Sequence, residues 1–175
     1  MNERKIVYRN IPSPSGRMIA GATDKGICLL MWQDEQRADR IIEGVKKNHG
    51  LPAEQGDSPY LDKLARQLSD YFDGKRKEFD IPLDYAGSDF EKSIWRQLLK
   101  IPYGETRSYG QIAAKIGQRD ASRAVGRANG ANPIAIVIPC HRVIRSGGDL
   151  GGYGGGIDRK KWLLELESAQ TAVFK

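Results

Sequence analysis

The sequence predicts an α+β protein in two parts: a small N-terminal antiparallel sheet with helices over residues 1–84, and a mostly helical C-terminal part over residues 85–175. Three observations predict it. Short β-type runs flank a Thr23-Asp24-Lys25-Gly26 turn in the first thirty residues, helical apolar stripes with capping signals dominate from Ser58 onward, and Pro82 to Gly87 carries neither pattern.

The elements follow in order. Ile6-Val7-Tyr8 and Met18-Ile19-Ala20 read as strands, and the turn leads into Ile27–Trp32 to make a hairpin. Residues 34–47 carry Ala38, Ile41, Ile42 and Val45 at helical spacing, and His49-Gly50-Leu51-Pro52 stops them. Ser58-Pro59 opens a helix with Leu61, Leu64, Ala65, Leu68 and Phe72 on one face. Ser88-Asp89-Phe90-Glu91 and Ser108-Tyr109-Gly110-Gln111 are capping boxes. The first opens a helix striped by Phe90, Ile94, Trp95, Leu98 and Leu99; the second opens a short helix that Gly117 ends. Residues 121–128 read as a further helix, so Tyr109 to Asn129 has a helix-turn-helix layout. That second helix mixes small residues with Ser122, Arg123 and Arg127, which suits close approach to a phosphate-bearing surface. The apolar run at residues 134–138 reads as a buried strand, and Asp158 reads as the cap of a last helix carrying Trp162, Leu163 and Leu166 inward.

Composition narrows the functional classes. At 175 residues and 39% hydrophobic content, the chain can bury one good core or two small ones. A net charge of +6 favours polyanionic partners. No apolar run approaches the roughly 18 residues of a membrane span and no signal segment opens the chain, so a cytoplasmic protein is expected. Two cysteines, Cys28 and Cys140, make neither a disulfide framework nor a zinc signature.

Chemistry concentrates at Pro139-Cys140-His141-Arg142, where a thiol and a possible general base sit side by side on an apolar segment. A Cys-His pair in a core can also be purely structural. Cys28, in an apolar strand, reads as a buried structural thiol, and His49 as a solvated side chain. Glu167, placed near the C-terminal end of the last helix, faces the negative end of the dipole and invites a partner such as a histidine; an ordinary exposed glutamate is the alternative. The loop from Ser146 to Gly156 carries seven glycines but no Gly-Lys-Ser/Thr, so it reads as a flexible pocket wall rather than a phosphate loop.

Residues 138–144, Ile-Pro-Cys-His-Arg-Val-Ile, resemble the active-site motif of the O6-alkylguanine-DNA alkyltransferases, or methylated-DNA–protein-cysteine methyltransferases. Pro102-Tyr103-Gly104-Glu105-Thr106, Ser108-Tyr109, Ser122-Arg123-Ala124-Val125-Gly126, Asn132-Pro133, the Gly151 to Gly156 segment and Lys161 to Glu167 follow in that family's order and spacing. The first half is a weaker match, carried by residues 23–30. The resemblance implies a ribonuclease H-like N-terminal part and a winged-helix-like C-terminal part. It implies Cys140 as alkyl acceptor in a single-turnover transfer from O6-alkylguanine, with O4-alkylthymine a further candidate substrate. His141 would act through a water as base, Glu167 would orient the imidazole, and Tyr109 would supply a proton to the leaving guanine. Ser122, Arg123, Arg127 and Tyr109 would meet double-stranded DNA, with Arg123 filling the gap left by a flipped base. Asn132 would hold the turn before the active-site strand, and Val143, Tyr153, Gly154 and Gly155 would line the base pocket.

Some relatives hold a structural zinc in the N-terminal part, but here only Cys28 and His49 are on offer, so no metal and no cofactor is expected. The chain is expected to be a stand-alone monomer without a phosphotriester-repair module. Two other classes stay open: a Cys-His-Glu thiol hydrolase, and a non-catalytic helix-turn-helix DNA-binding protein.

Overall fold

The computed structural model describes residues 3–33 and 37–173, with side chains described through residue 168. The chain divides into two compact units, Met1–Ala86 and Gly87–Lys175.

In the first unit, strands β1 (Ile6–Ile11), β2 (Met18–Ala22) and β3 (Ile27–Trp32) form the expected antiparallel ribbon, with Thr23 N–H bonded to the Gly26 carbonyl across the tight turn. Gly26 has φ +155, and a Cβ there would lie 2.4 Å from the Pro82 carbonyl oxygen, so only glycine lets residues 82–84 run along the β3 edge. The sheet departs from the antiparallel expectation on its other side. A three-residue strand β4 (Ala53–Gln55) pairs parallel with β1, giving a mixed sheet in the order β3-β2-β1-β4. Parallel pairing is possible because α1 (Ala38–His49) supplies the crossover. The expected helix start at Asp34 lies partly outside the described residues. Helix α1 buries Ile42 and Val45 against Ile6, Ile19, Cys28 and Leu29, while α2 (Pro59–Phe72), capped by Ser58, packs on β1 and β2 through a face that includes Leu61, Leu64 and Leu68. Every residue of β2 is buried, as cover on both faces demands.

The second unit packs α3 (Asp89–Leu98), α4 (Tyr109–Lys115) and α5 (Ser122–Gly130) against one another. Both capping boxes form, each with the serine accepting from the N3 amide and the Glu or Gln returning the bond. Trp95 of α3 donates its indole N–H to the Ala128 carbonyl at 2.9 Å, so α3 braces the end of α5. Gly117, at φ +73, turns the chain between α4 and α5 in the helix-turn-helix. Leu99 is exposed rather than part of the α3 stripe.

Residues 134–138 are buried, apart from half-buried Ala135, but are not a strand. They fold as successive turns, with Val137 N–H bonded to the Ala135 carbonyl and Ile138 N–H to the Ile134 carbonyl, and Ile136 adopts φ +70. A β-branched residue in this region costs about 1–3 kcal/mol and persists only where its surroundings enforce it. Asn132 does so, accepting from the Ile134 amide at 3.0 Å and donating to the Ile138 carbonyl at 2.8 Å. The chain then makes a 3-10 turn over Cys140–Arg142 and enters β6 (Val143–Ile144), which pairs parallel with β5 (Arg107–Ser108). The final helix α6 spans Ile157–Val173. Asp158 lies inside its first turn instead of capping it, because the Gly156 carbonyl already accepts the first helical bond, from Lys160.

Candidate active site

The short β5–β6 pairing gathers residues that are far apart in sequence. Strand β5 runs directly into Tyr109, the first residue of α4, and β6 directly follows the Cys140–Arg142 turn, so pairing the two brings Tyr109 to the Cys-His motif. Helix α5 closes the same region from another side: Asn129 donates its amide to the Cys140 carbonyl at 3.2 Å.

Cys140 is 6% exposed and His141 is fully buried. The His141 Nε2 lies 2.8 Å from Glu167 Oε1, and Nδ1 has no hydrogen-bond partner among the described residues. Glu167 is buried too, and it is shared. Arg142 reaches it with Nη2 at 2.8 Å and Nε at 3.0 Å, while the Gly104 amide donates at 3.3 Å. Arg142 also donates to the Ile101 carbonyl at 2.7 Å and lies over the Tyr103 ring at 5.7 Å. Glu167 is not at a helix end, since α6 continues to Val173; its partners, rather than the dipole, set its state. Burial alone would push its carboxyl up, but the hydrogen bonds and charges of His141 and Arg142 hold it down at about 2.

Burial pushes the Cys140 thiol up, opposed by Asn132, Lys160 and Tyr153. Burial likewise lowers His141, against the pull of Glu167, so the imidazole is neutral near pH 7 and available as a base. Cys28 has no comparable company, and burial lifts it to about 12.

Residues 89–169 match the family described as the 6-O-methylguanine DNA methyltransferase DNA binding domain, and residues 6–85 match its ribonuclease-like domain. The chain belongs to the 6-O-methylguanine DNA methyltransferase family. The methylated-DNA–protein-cysteine methyltransferase of Mycolicibacterium paratuberculosis is 64% identical over 162 residues, covering 93% of this chain and 92% of that one. The corresponding protein of Mycobacterium leprae is 59% identical over 166 residues, covering 95% and 94%. The crystal structure of Mycobacterium tuberculosis OGT in complex with DNA superposes with a TM-score of 0.80 at 42% identity, over 97% of this chain and 99% of that chain. A thiol hydrolase and a non-catalytic DNA-binding protein are not favoured by these relationships.

In this methyltransferase-family chain, the other expected residues fall into two groups. Tyr109, Asn132 and Tyr153 lie within electrostatic reach of the Cys140 thiol, and Val143 donates its amide to the Cys140 carbonyl. Burial, with the Cys140 charge, raises both the Tyr109 and the Tyr153 phenol. A Cβ at Gly151 would lie 3.1 Å from the Tyr109 hydroxyl, and one at Gly126 3.8 Å from its ring, so these glycines seat the tyrosine. Arg123 and Arg127 are exposed on α5 and make no ion pair among the described residues; Ser122 stands at its first turn. Gly154 lies near the Gly130 carbonyl, and the Gly155 carbonyl accepts from Arg159. Among the described residues no cluster of His, Cys, Asp or Glu could hold a metal, and no helix is long and apolar enough to cross a membrane.

Three residues were not anticipated: Asn129, Arg142 and Lys160. For Lys160 a signal existed. Positions 160, 163 and 167 recur at i, i+3 and i+7, and all three are fully buried, so two charged residues occupy the inward stripe of α6 where leucines are expected. Trp162 and Leu166 are only half-buried.

Proposed function

We propose that this chain repairs alkylated DNA by moving an alkyl group from O6 of guanine to Cys140, once per molecule. The activity is that of a methylated-DNA–protein-cysteine methyltransferase, a DNA repair transferase. What supports Cys140 as acceptor is the buried His141, bound to Glu167 through Nε2 and left with a free Nδ1 on the same 3-10 turn as the thiol. Near pH 7 an unassisted thiol is only a few per cent thiolate. A base beside it, itself kept neutral, removes that limit.

The Cys140 proton passes through a water to His141 Nδ1, and Glu167 stabilises the imidazolium formed. The sulfur attacks the alkyl carbon as the carbon–O6 bond breaks, and that electron pair enters the guanine ring. Tyr109 gives the ring a proton and later regains one from the imidazolium through solvent. The products are guanine and a thioether, which has no route back to thiolate.

Arg123 enters the space vacated by the flipped base, supported by its exposure on α5 of the helix-turn-helix and by the small residues around it. Ser122 and Arg127 contact the DNA backbone. Val143, Tyr153, Gly154 and Gly155 wall the base pocket. The protein works as a monomer in the cytoplasm on double-stranded DNA. Intact-mass analysis after incubation with an O6-methylguanine duplex tests the reading: one methyl group should appear, on the peptide containing Cys140 and not on the one containing Cys28. Repeated turnover, or label on Cys28, overturns it.

A further inference from the structure

We infer that the second unit carries a second nucleic-acid-binding surface: a basic cavity between α3 and α4, on the flank of α4 turned away from Tyr109, that takes the phosphate backbone of a DNA segment other than the one under repair. The inference rests on the alkyl-transfer reading only in placing the first segment at α5 and Tyr109.

The cavity has a volume of about 600 Å³ and is lined wholly from the second unit, by the end of α3, strand β5 and α4. Lys100, Arg107 and Lys115 stand around it, and no carboxylate lines it. Lys100 and Lys115 are exposed and make no ion pair among the described residues, whereas Arg107 is held by Glu105 at 2.8 Å. Arg96, in the last turn of α3 and one turn before Lys100, is a further exposed cation with no ion pair among the described residues. Four cations against the one carboxylate of Glu105 leave this flank at +3. Lys115 lies in the last turn of α4, roughly 120° around the helix from Tyr109 at about 100° per residue. The side of α4 that meets the DNA under repair is therefore not the side that carries these cations.

The floor of the cavity decides the kind of partner. Ile101 and Ile112 are only 4% and 3% exposed, so an apolar guest would find little surface to bury. What the cavity offers is charge. A single anion gains little from exposed lysines in water, but a polyanion gains the entropy of the counterions it releases. A DNA backbone supplies such a row of phosphates. With two phosphate-binding faces, one protein molecule can take hold of a second segment before it leaves the first, which extends its search along DNA beyond sliding.

The test counts duplexes per protein by analytical ultracentrifugation, with short undamaged duplexes in excess and salt raised from about 50 to 200 mM. Wild-type protein should carry two duplexes at the low end. The second should be lost first, with a slope of log K against log salt of roughly −3, as three unpaired cations predict. Replacing Lys100 and Lys115 together by glutamine should weaken the second duplex by about tenfold and make its slope shallower by about 2. The first duplex and single-turnover methyl transfer should stay within about twofold of wild type, which also reports that the variant is folded. Lys100→Arg with Lys115→Arg should keep the second duplex. One duplex at every salt concentration, a second duplex indifferent to the glutamine pair, or equal weakening of both duplexes overturns the inference. Competition by poly-glutamate without any second duplex overturns it too, and makes the flank a site for acidic protein. Failure of the alkyl-transfer reading is distinct: wild-type protein would then take no methyl group on Cys140 from a damaged duplex, whatever the duplex count.

Discussion

Replacing Arg142 with methionine tests the electrostatic frame of the site. The guanidinium meets Glu167 through both Nε and Nη2, at 3.0 and 2.8 Å, with both side chains nearly inaccessible to water. Removing one partner of a buried pair costs about 3–5 kcal/mol, because the other charge is left uncompensated, whereas an exposed pair contributes under about 1 kcal/mol. For a chain of this length the buried figure corresponds to a fall of roughly 6–20 °C in Tm. The loss should also depend on pH. In the wild type Glu167 is held at about 2, so it is ionised throughout the working range. In Arg142→Met only His141 is left to oppose burial, so the carboxyl rises from its wild-type position and takes up a proton at a higher pH than in the wild type. The deficit is therefore largest near pH 7 and shrinks as pH falls into the acid range. Urea unfolding followed by tryptophan fluorescence, with Trp95 buried in the same unit, reads both quantities. A deficit below about 1 kcal/mol at pH 7, or one that does not shrink as pH falls, refutes the reasoning.

Glu167 itself contributes stability that is complete above about pH 4.5 and is lost as pH falls toward about 2, so Glu167→Gln should flatten the acid limb of the wild-type stability curve and also slow alkyl transfer. Arg123→Ala should slow repair of a duplex by a factor equivalent to some fraction of the few kcal/mol that base flipping demands, while leaving reaction with free O6-alkylguanine base nearly unchanged; equal losses on both would withdraw the flipping role. Gly151→Ala places a Cβ 3.1 Å from the Tyr109 hydroxyl at φ +70, so it should cost about 1–2 kcal/mol in stability and slow transfer from both substrates in single-turnover assays. Cys140→Ser should abolish transfer and leave duplex affinity, measured by fluorescence anisotropy, within a few-fold.

Local signals in the chain were legible where the cause is local. Ser58, Ser88 and Ser108 cap the helices their side chains predict, and the hairpin turns where Thr23 to Gly26 announces it. Strand β4 was not legible, because three residues paired parallel to a distant strand carry no pattern of their own. Residues 134–138 illustrate a different failure. An apolar run reports burial, and burial was correct, but the conformation is dictated by Asn132 and by bonds between neighbouring turns. Cys140 and His141 announce themselves as adjacent reactive types. Arg142 and Lys160 do not, since in a sequence a buried charge looks like a surface one until its place on a helical stripe is checked.

The side chains that fix this site act on main-chain atoms more than on the thiol. Asn129 holds the Cys140 carbonyl, Asn132 the Ile138 carbonyl, Lys160 the Val143 carbonyl, and Arg142 the Ile101 carbonyl that precedes the Pro102-Tyr103-Gly104 turn. Backbone clamps leave the sulfur's own geometry independent of what the sulfur carries. Three of the four clamps are also side chains whose charge or dipole acts on the reacting groups: Asn132 and Lys160 on Cys140, Arg142 on Glu167. Position and electrostatics are thus set by the same atoms, so a substitution at any of these three residues must disturb both, whereas one at Cys140 removes the chemistry and leaves the clamps in place.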